Sequence, residues 1–221
     1  MSGGAEFDRG RLGGLPAEVA MARLPAGRHG LSRSFVAENQ RLRLLAAMLR
    51  LLPEHGYPAL TIGQVTAEAG VSRAAFYAQF SGKEESFLAT YDVASRWLCE
   101  GVEAAVAGAE GWRNRVEGGA VALLRMLAAN PRIAHLLAIE SYRAGEAARG
   151  RQEELLDRFA VALREGNPRQ AEVPDEVADL LVGGVVTLVA RYVVGGRAKQ
   201  LPGATSTLAE YLVKPYLGSE A

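Results

Sequence analysis

The sequence predicts an all-α protein of about nine helices, and three observations support this fold class. Apolar residues recur at helical spacing along most of the chain, and no stretch alternates with a period of two strongly enough to predict a strand. Aromatic residues, which favour sheets, make up only 7% of the sequence. Glycine and proline separate the periodic segments from one another. With 221 residues, the chain is long enough to bury a substantial core.

Composition excludes several classes of protein. Hydrophobic residues make up 49% and charged residues 23% of the chain, as in ordinary globular proteins, which excludes wholesale disorder. The single cysteine, Cys99, excludes an intramolecular disulfide. Residues 1–16 lack the apolar segment of a signal peptide, and the longest uncharged apolar run, Leu180–Ala190, is too short to span a bilayer. We therefore expect a soluble cytoplasmic protein that has no contact with a membrane.

The zero net charge conceals a difference between two parts of the chain. Residues 1–83 contain ten Lys and Arg against six Asp and Glu, a net charge of +4, whereas residues 84–221 contain fifteen against nineteen, a net charge of −4. A basic N-terminal part is typical of contact with a polyanion. The difference is modest, however, and arginines on solvated helices would produce it as well.

The pattern divides the chain into three segments. Residues 1–34 are rich in Gly and Arg without a sustained period, so we expect a flexible N-terminal arm. Residues 35–83 begin with a helix that we expect to end at Pro53 and the His55–Pro58 stretch. Residues 84–221 begin with a long helix, which a capping box of Ser81 and Glu84 introduces. Five more helices are predicted near 110–129, 131–144, 146–166, 174–197 and 204–217.

Two short helices joined through a glycine follow the first helix. Thr61 and Gln64 match a capping box that begins the first of them, and Gly70 ends it in a left-handed turn that costs glycine nothing. Ser72 caps the second, which covers residues 73–79. This arrangement has the geometry of a helix-turn-helix, whose second helix enters the major groove of DNA.

The residues of this element resemble the TetR family of bacterial transcriptional regulators. The resemblance covers about fifty residues and rests on Thr61-Ile62-Gly63-Gln64-Val65, Ala69-Gly70-Val71-Ser72-Arg73, Phe76-Tyr77, Phe80 and Lys83-Glu84. It implies a helix-turn-helix DNA-binding domain at residues 35–83. For residues 84–221 it implies a larger helical domain that binds an effector and dimerises.

Six residues of the motif are the candidate DNA contacts: Thr61, Ser72, Arg73, Ala74, Tyr77 and Lys83. Lys83 lies in the first turn of a helix, where a cation opposes the helix dipole and a bound phosphate would relieve the conflict. Tyr77 points away from the apolar core and offers its hydroxyl to a phosphate, and Thr61 combines capping with a phosphate contact, as in the family. Arg73, beside Ser72, either reads a guanine or holds a phosphate, while Ala74 leaves apolar contact with a thymine methyl. In the arm, Arg23, Arg28 and Arg33 either enter an adjacent minor groove or belong to a disordered tail.

The family resemblance also implies an effector pocket in the middle helices and a homodimer through residues 174–217. Candidate pocket residues are Trp97, Trp112, Met126, His135, Glu140 and Tyr142, although each type is more often an ordinary core or surface residue. The helix at 179–197 is apolar nearly all round, and a dimer interface shared with the helix of Leu208, Leu212 and Tyr216 would cover it. A two-fold dimer presents two recognition helices to a palindromic operator in double-stranded DNA.

Together these features predict a repressor that an unknown small-molecule effector releases from DNA, and not an enzyme. His29, His55 and His135 have neither each other nor Cys99 at metal-ligand spacing, and no catalytic or phosphate-binding motif is present, so we expect no metal and no cofactor. The alternative function is a constitutive helix-turn-helix DNA-binding protein without a functional ligand pocket. A missing cavity between residues 85 and 166 would favour that alternative.

Overall fold

The computed structural model describes residues 33–169 and 172–217. These residues form nine α-helices and two 3₁₀ helices and contain no strand, which confirms the all-α fold. The α-helices are α1 (Arg33–Ala59), α2 (Ile62–Ala69), α3 (Arg73–Tyr77), α4 (Lys83–Val106), α5 (Trp112–Ala129), α6 (Pro131–Ala138), α7 (Glu146–Arg164), α8 (Glu176–Val194) and α9 (Thr205–Leu217). The 3₁₀ helices are Glu140–Tyr142 and Ala198–Ala204. Nearly all of the predicted arm, with Arg23 and Arg28, lies outside the described residues.

The first helix breaks within the stretch that the sequence predicts, at Gly56, and continues past Pro53. Pro53 lies inside α1, because a proline costs a helix one hydrogen bond but does not by itself stop it. The regular geometry breaks at Gly56, whose φ of 69° and ψ of 153° are not helical. This kink turns the end of α1 back, and Leu60 donates its backbone N–H to the carbonyl of Gly56 at 3.1 Å.

Two helices join the N-terminal part of the fold to the rest. α1 packs against α2, α3, α4 and α6, and α4 packs in turn against α1, α5, α6 and α7. Phe87 and Tyr91 of α4 are fully buried where these helices meet. One continuous apolar core therefore extends from α1 to α9. Because α4 and α6 both contact α1 directly, a displacement of either helix changes the packing of α1.

Two predicted helix boundaries differ in the structure. Both the N–H and the Oγ of Ser81 donate to Glu85, at 2.6 and 2.7 Å, so the partner of Ser81 is Glu85 and not Glu84. The reason is position: Gly82 is the N-cap residue of α4, which places Ser81 one residue too early for a capping box. The helix predicted at 131–144 breaks after Ala138, where the hydroxyl of Ser141 donates to a helix carbonyl and a 3₁₀ turn replaces the last α-turn.

The two C-terminal helices differ in how far they are buried within their own chain. α8 has 19 residues with a mean hydropathy of 1.9 over its most apolar stretch, which makes it the one helix among residues 33–169 and 172–217 that is long and apolar enough to cross a membrane. The predicted span was shorter because Arg191 ends the uncharged run without ending the helix. One side of α8 lies in the core, but most of its apolar stretch is not buried within the chain. Leu208, Leu212 and Tyr216 of α9, by contrast, are buried within their own chain.

Candidate nucleic-acid interface

Side-chain caps hold the two short helices α2 and α3. The Oγ1 of Thr61 accepts from the backbone N–H of Gln64 at 3.2 Å, and the Oε1 of Gln64 accepts from the N–H of Thr61 at 2.9 Å, which confirms the predicted capping box. Gly70 ends α2 in the left-handed conformation, with φ of 62° and ψ of 41°. The Oγ of Ser72 then accepts from the N–H of Ala75 at 3.0 Å and begins α3.

Two phenylalanines fix the rotation of α3. Phe76 and Phe80 are fully buried, and their ring centroids lie 5.6 Å apart. The guanidinium of Arg41 covers the ring of Phe80 at 4.6 Å from its centroid. Because this side of α3 is held against α1, the opposite side of the helix faces outward.

Five of the six predicted DNA contacts are exposed on or beside α2 and α3. We call this the recognition surface; it consists of Thr61, Ser72, Arg73, Ala74 and Tyr77, all of which are exposed. Ala74 and Tyr77 lie three residues apart and therefore share one face of α3. Tyr77 is 57% exposed, with its ring edge-on to Phe76 at 5.4 Å, and its hydroxyl makes no hydrogen bond within the described part of the chain.

Arg73 links α3 to the beginning of α2. A Cβ at Gly63 would lie 3.2 Å from a terminal nitrogen of Arg73, so the glycine leaves room for the guanidinium. Thr61 occupies the N–H of Gln64, whereas the N–H groups of Ile62 and Gly63 find no acceptor among the described residues. A guanidinium beside the free N–H groups of a helix N-terminus is suited to bind an anion.

Lys83 lies beside the recognition surface and already has partners. Its ammonium donates to the carbonyls of Tyr57 at 2.9 Å and Leu60 at 3.0 Å, and it lies 3.4 Å from the carbonyl of Pro58. The same nitrogen is 4.3 Å from the ring centroid of Tyr57. Carbonyl oxygens at the end of α1 thus balance the charge that opposes the α4 dipole. A phosphate contact of Lys83 stays a prediction, since the ammonium would have to share its hydrogens with these carbonyls.

Sequence reasoning missed the arginine that holds the turn. Arg43 of α1 donates to the carbonyl oxygens of Ala69 and of Gly70, the latter at 2.8 Å. Arg50 forms a second link from α1 to α2, a salt bridge with Glu68 at 2.7 Å. These contacts join residues 18 to 27 positions apart, so no local pattern announces them. The only signal is a basic stripe on the helix that precedes the motif.

A buried carboxylate connects the end of α1 to the helices behind it. Glu140 is 0% exposed; it accepts from the backbone N–H of Tyr57 at 2.6 Å and from Arg143 at 3.0 Å, and lies 3.1 Å from Nε2 of His135. Burial alone would raise the pKa of Glu140, but the hydrogen bonds from His135 and Tyr57 and the charge of Arg143 lower it below the ordinary value. A charged Glu140 therefore ties the kink of α1 to α6.

A cavity of about 420 Å³ lies among α4, α5, α6, α7, α8 and α9. Its wall is mostly aliphatic, and α6 contributes Ala134, Leu137 and Ala138 to it. Five polar side chains also line the cavity: Glu103, Arg115, Gln152, Arg158 and Glu165. Burial raises the pKa of the Cys99 thiol in the same wall, so this cysteine is neutral. The volume is within the range of sites that bind small molecules.

None of the six residues predicted for a pocket lines this cavity: Trp97, Trp112, Met126, His135, Glu140 and Tyr142. Trp112 donates its indole N–H to the carbonyl of Leu163 at 2.8 Å, and Met126 packs over Gly101. Trp97 is half-buried against the core, and Tyr142 is exposed. His135 and Glu140 face Tyr57 instead of the cavity. Trp112, His135 and Glu140 make their hydrogen bonds elsewhere, and mostly aliphatic residues form the wall.

Comparison with known proteins places the helix-turn-helix in a family. Residues 44–90 match the model of the bacterial regulatory proteins of the tetR family. Uncharacterised helix-turn-helix-type transcriptional regulators of Mycobacterium tuberculosis and Mycobacterium bovis are 48% identical to this chain over 48 residues. The alignment covers 22% of this chain and 24% of each relative, so the chain spans about a quarter of the length of the curated relatives it matches. The predicted resemblance is confirmed for this segment.

Solved structures share the fold of most of the chain. FadR of Bacillus subtilis, crystallised in complex with stearoyl-CoA, has a TM-score of 0.70 at 16% identity and is covered to 98%, against 79% of this chain. The fatty acid degradation regulator FadR of Bacillus halodurans has a TM-score of 0.71 at 16% identity, with 94% and 79% covered. A TetR-like regulator of Rhodococcus sp. RHA1 has a TM-score of 0.65 at 19% identity, with 100% and 86% covered. These likenesses show the fold of a helix-turn-helix followed by a helical domain.

Proposed function

We propose that this TetR-family chain is a cytoplasmic repressor that binds a palindromic operator as a homodimer and is released by a small-molecule effector. The observation that carries the proposal is the recognition surface, in which buried Phe76 and Phe80 fix α3 so that Arg73 and Tyr77 face outward. The Tyr77 hydroxyl makes no hydrogen bond to residues 33–169 or 172–217. Exposed side chains of this kind, on a helix of fixed orientation, are suited to contact DNA.

The proposed contacts divide into two classes. Arg73, with the free N–H groups at the start of α2, binds a backbone phosphate, and Thr61 and Tyr77 contact phosphates on either side of it. Ser72 and Ala74 stand at the beginning of α3, where a recognition helix meets base edges; Ala74 contributes apolar contact with a thymine methyl. With so few polar groups at the bases, phosphate contacts supply most of the affinity.

The exposed side of α8 is the proposed dimer surface. Leu180 is 73% and Val194 75% exposed, and since they lie fourteen residues apart, close to four helical turns, they share one face. Gly184 lies on the same face, where the ring of Tyr211 from α9 packs over it and its hydroxyl lies 3.3 Å from the carbonyl of Leu180. A second copy would cover this apolar strip. The proposed interface keeps α8 from the predicted range 174–217 but not Leu208, Leu212 and Tyr216, which are already buried in a single chain.

The cavity supports an effector over a constitutive DNA-binding function. It lies mainly between residues 98 and 165, where a missing cavity would have favoured the constitutive alternative. One of its walls is α6, the helix that precedes the Glu140 cluster and its hydrogen bond to Tyr57. A ligand that binds one position of α6 better than another would shift α1 and the recognition surface by that difference in affinity.

The salt dependence of DNA binding tests the proposal. We would measure the binding of wild type, Arg73→Ala and Tyr77→Phe to a random-sequence duplex from low to moderate salt, with Arg125→Ala, an exposed arginine of α5, as a control for charge. Loss of one phosphate contact should make the slope of log K against log salt shallower by about 0.9 in Arg73→Ala, with no change in Arg125→Ala. Tyr77→Phe should weaken binding to all sequences. If both variants of the recognition surface behave like Arg125→Ala, the surface does not bind DNA.

A further inference from the structure

The cavity contains one polar side chain that is both buried and incompletely partnered. Gln152 of α7 is only 3% exposed and lines the cavity. Its Oε1 accepts from the hydroxyl of Tyr91 at 2.7 Å. Its Nε2 donates to no atom of the described chain. The opposite orientation of the amide would leave the Tyr91 proton without an acceptor, so Nε2 is the group left for a ligand.

The charged residues of the cavity form two exposed pairs. Glu103 and Arg158 form a salt bridge of 2.6 Å and are both more than half exposed. Arg115 and Glu165, also exposed, lie near the end of α7, where Arg115 reaches the carbonyl of Glu165 at 3.5 Å. These four charges cancel in sign and are exposed, whereas the buried Gln152 offers a neutral donor.

The lining of the cavity indicates an apolar occupant. The wall is mostly aliphatic, and the volume of about 420 Å³ is within the range of sites that bind small molecules. From Gln152 to Leu163, both in the wall, α7 rises by about 17 Å at 1.5 Å per residue, so the aliphatic wall extends well beyond the amide.

We propose that the effector is an apolar molecule that carries a neutral acceptor oxygen, a carbonyl or hydroxyl, bound by Nε2 of Gln152. A hydrocarbon end would leave the buried amide unpaired, and a carboxylate there would lose its hydration with no cation beside it. This inference rests on the proposed function only for the statement that the occupant acts as an effector. Binding of such a molecule in the cavity does not depend on the proposed function.

Calorimetric titration of the full chain with three probes tests the inference: 2-decanone, decanoate and 1-decene. Wild type should bind 2-decanone several-fold to about tenfold more tightly than either of the others, as expected for one neutral hydrogen bond. The Gln152→Met variant should lose this preference. Since it also deprives the Tyr91 hydroxyl of its acceptor, the informative comparison is Tyr91→Phe against Tyr91→Phe/Gln152→Met, in which no hydroxyl is left unpaired. The single variant should keep the preference for the ketone and the double variant should lose it.

Three results would overturn the inference: tightest binding of decanoate, a ketone preference that survives in the double variant, or no binding of 2-decanone up to its solubility limit. Titration of the same preparations with duplex DNA separates the two proposals. A chain that binds DNA but not the ketone leaves the regulator proposal standing and removes the inference. A chain that shows the Gln152-dependent preference but does not bind DNA does the reverse.

Discussion

Two buried tyrosines differ in what their hydroxyls meet. Tyr91 donates to Gln152, whereas the hydroxyl of Tyr216 is buried without a hydrogen-bond partner in the described part of the chain. Burial raises the pKa of both hydroxyls, so both are protonated at neutral pH. At the scale of single residues, a buried hydroxyl contributes to stability where it has a hydrogen-bond partner, as in Tyr91, and lowers stability where it has none, as in Tyr216.

Replacement of each tyrosine by phenylalanine should therefore have different effects on stability. Tyr216→Phe removes an unpaired polar group and should leave the free energy of unfolding unchanged or raise it by about 1 kcal/mol. Tyr91→Phe removes a made hydrogen bond and should lower it by about 1 to 2 kcal/mol. Denaturant unfolding of both variants checks this. Equal losses in the two would show that Tyr216 has a partner after all.

Gly63 offers a test in which stability and DNA binding move in different directions. In Gly63→Ala the helix α2 gains up to about 1 kcal/mol from lower flexibility of the unfolded chain, but the new methyl displaces the guanidinium of Arg73. We expect equal or higher stability with weaker DNA binding. Gly150→Ala on α7 is the matched control, because no atom lies within 4 Å of its Cβ position, and it should leave DNA binding unchanged. The role of Arg73 would be contradicted if the control bound DNA more weakly than wild type, or if Gly63→Ala bound DNA as tightly as wild type.

At the scale of secondary-structure elements, one charged carboxylate contacts the kinked end of α1. The pKa of Glu140 lies below the ordinary 4.5 in the folded chain, so its charge contributes stability that is complete above about pH 4.5 and is lost as the pH falls through the lowered pKa. Glu140→Gln should be less stable at pH 7, since Arg143 and the N–H of Tyr57 lose a charged acceptor. It should also lose less stability than wild type on acidification below pH 4.5.

Unfolding midpoints measured at pH 7 and at several values below 4.5 decide the matter. Glu153→Gln, an exposed carboxylate of α7 with no hydrogen bond or ion pair to the described residues, serves as the control and should follow wild type. If Glu140→Gln also follows wild type over the whole range, the carboxylate does not hold the kink in place.

The elements differ in how far sequence can predict them. The caps of Thr61 and Ser72 were predicted because both partners lie within three residues of each other. The hydrogen bonds of Lys83 to carbonyls at the end of α1 join residues 23 to 26 positions apart. The hydrogen bond between Tyr91 and Gln152 spans 61 positions. Neither contact follows from periodicity, since each depends on how two helices are rotated against each other. The same rotation decides which residues line the cavity, and for that reason the predicted pocket residues are not those of its wall.

At the scale of the whole molecule, an apolar helix face does not reveal what will cover it. The stripe of Leu208, Leu212 and Tyr216 reads as an interface in the sequence but is covered by its own chain. The structure leaves Leu180 and Val194 of α8 exposed instead. The helix count and order of the fold could be predicted because they follow from local breaks, whereas the surfaces for a partner required three-dimensional packing.

Charge on the exposed face of α8 should separate the proposed dimer. The double variant Leu180→Arg/Val194→Arg should sediment as a monomer at concentrations where wild type is a dimer, because two cations per chain would be brought together and desolvated. Val161→Arg adds a charge at another exposed apolar residue, on α7, and should remain dimeric. A wild-type monomer at all concentrations, or a double variant that stays dimeric, would remove α8 as the interface.

Selection of binding sites from a random duplex pool, with the purified chain at stated salt, tests the central claim most directly. A two-fold dimer with two recognition surfaces should recover one inverted repeat with half-sites about one helical turn apart, or a multiple of it. The Leu180→Arg/Val194→Arg variant should recover at most a single half-site. Recovery of only salt-sensitive binding without sequence preference, both alone and with 2-decanone present, would contradict the assignment of this chain as an operator-binding repressor.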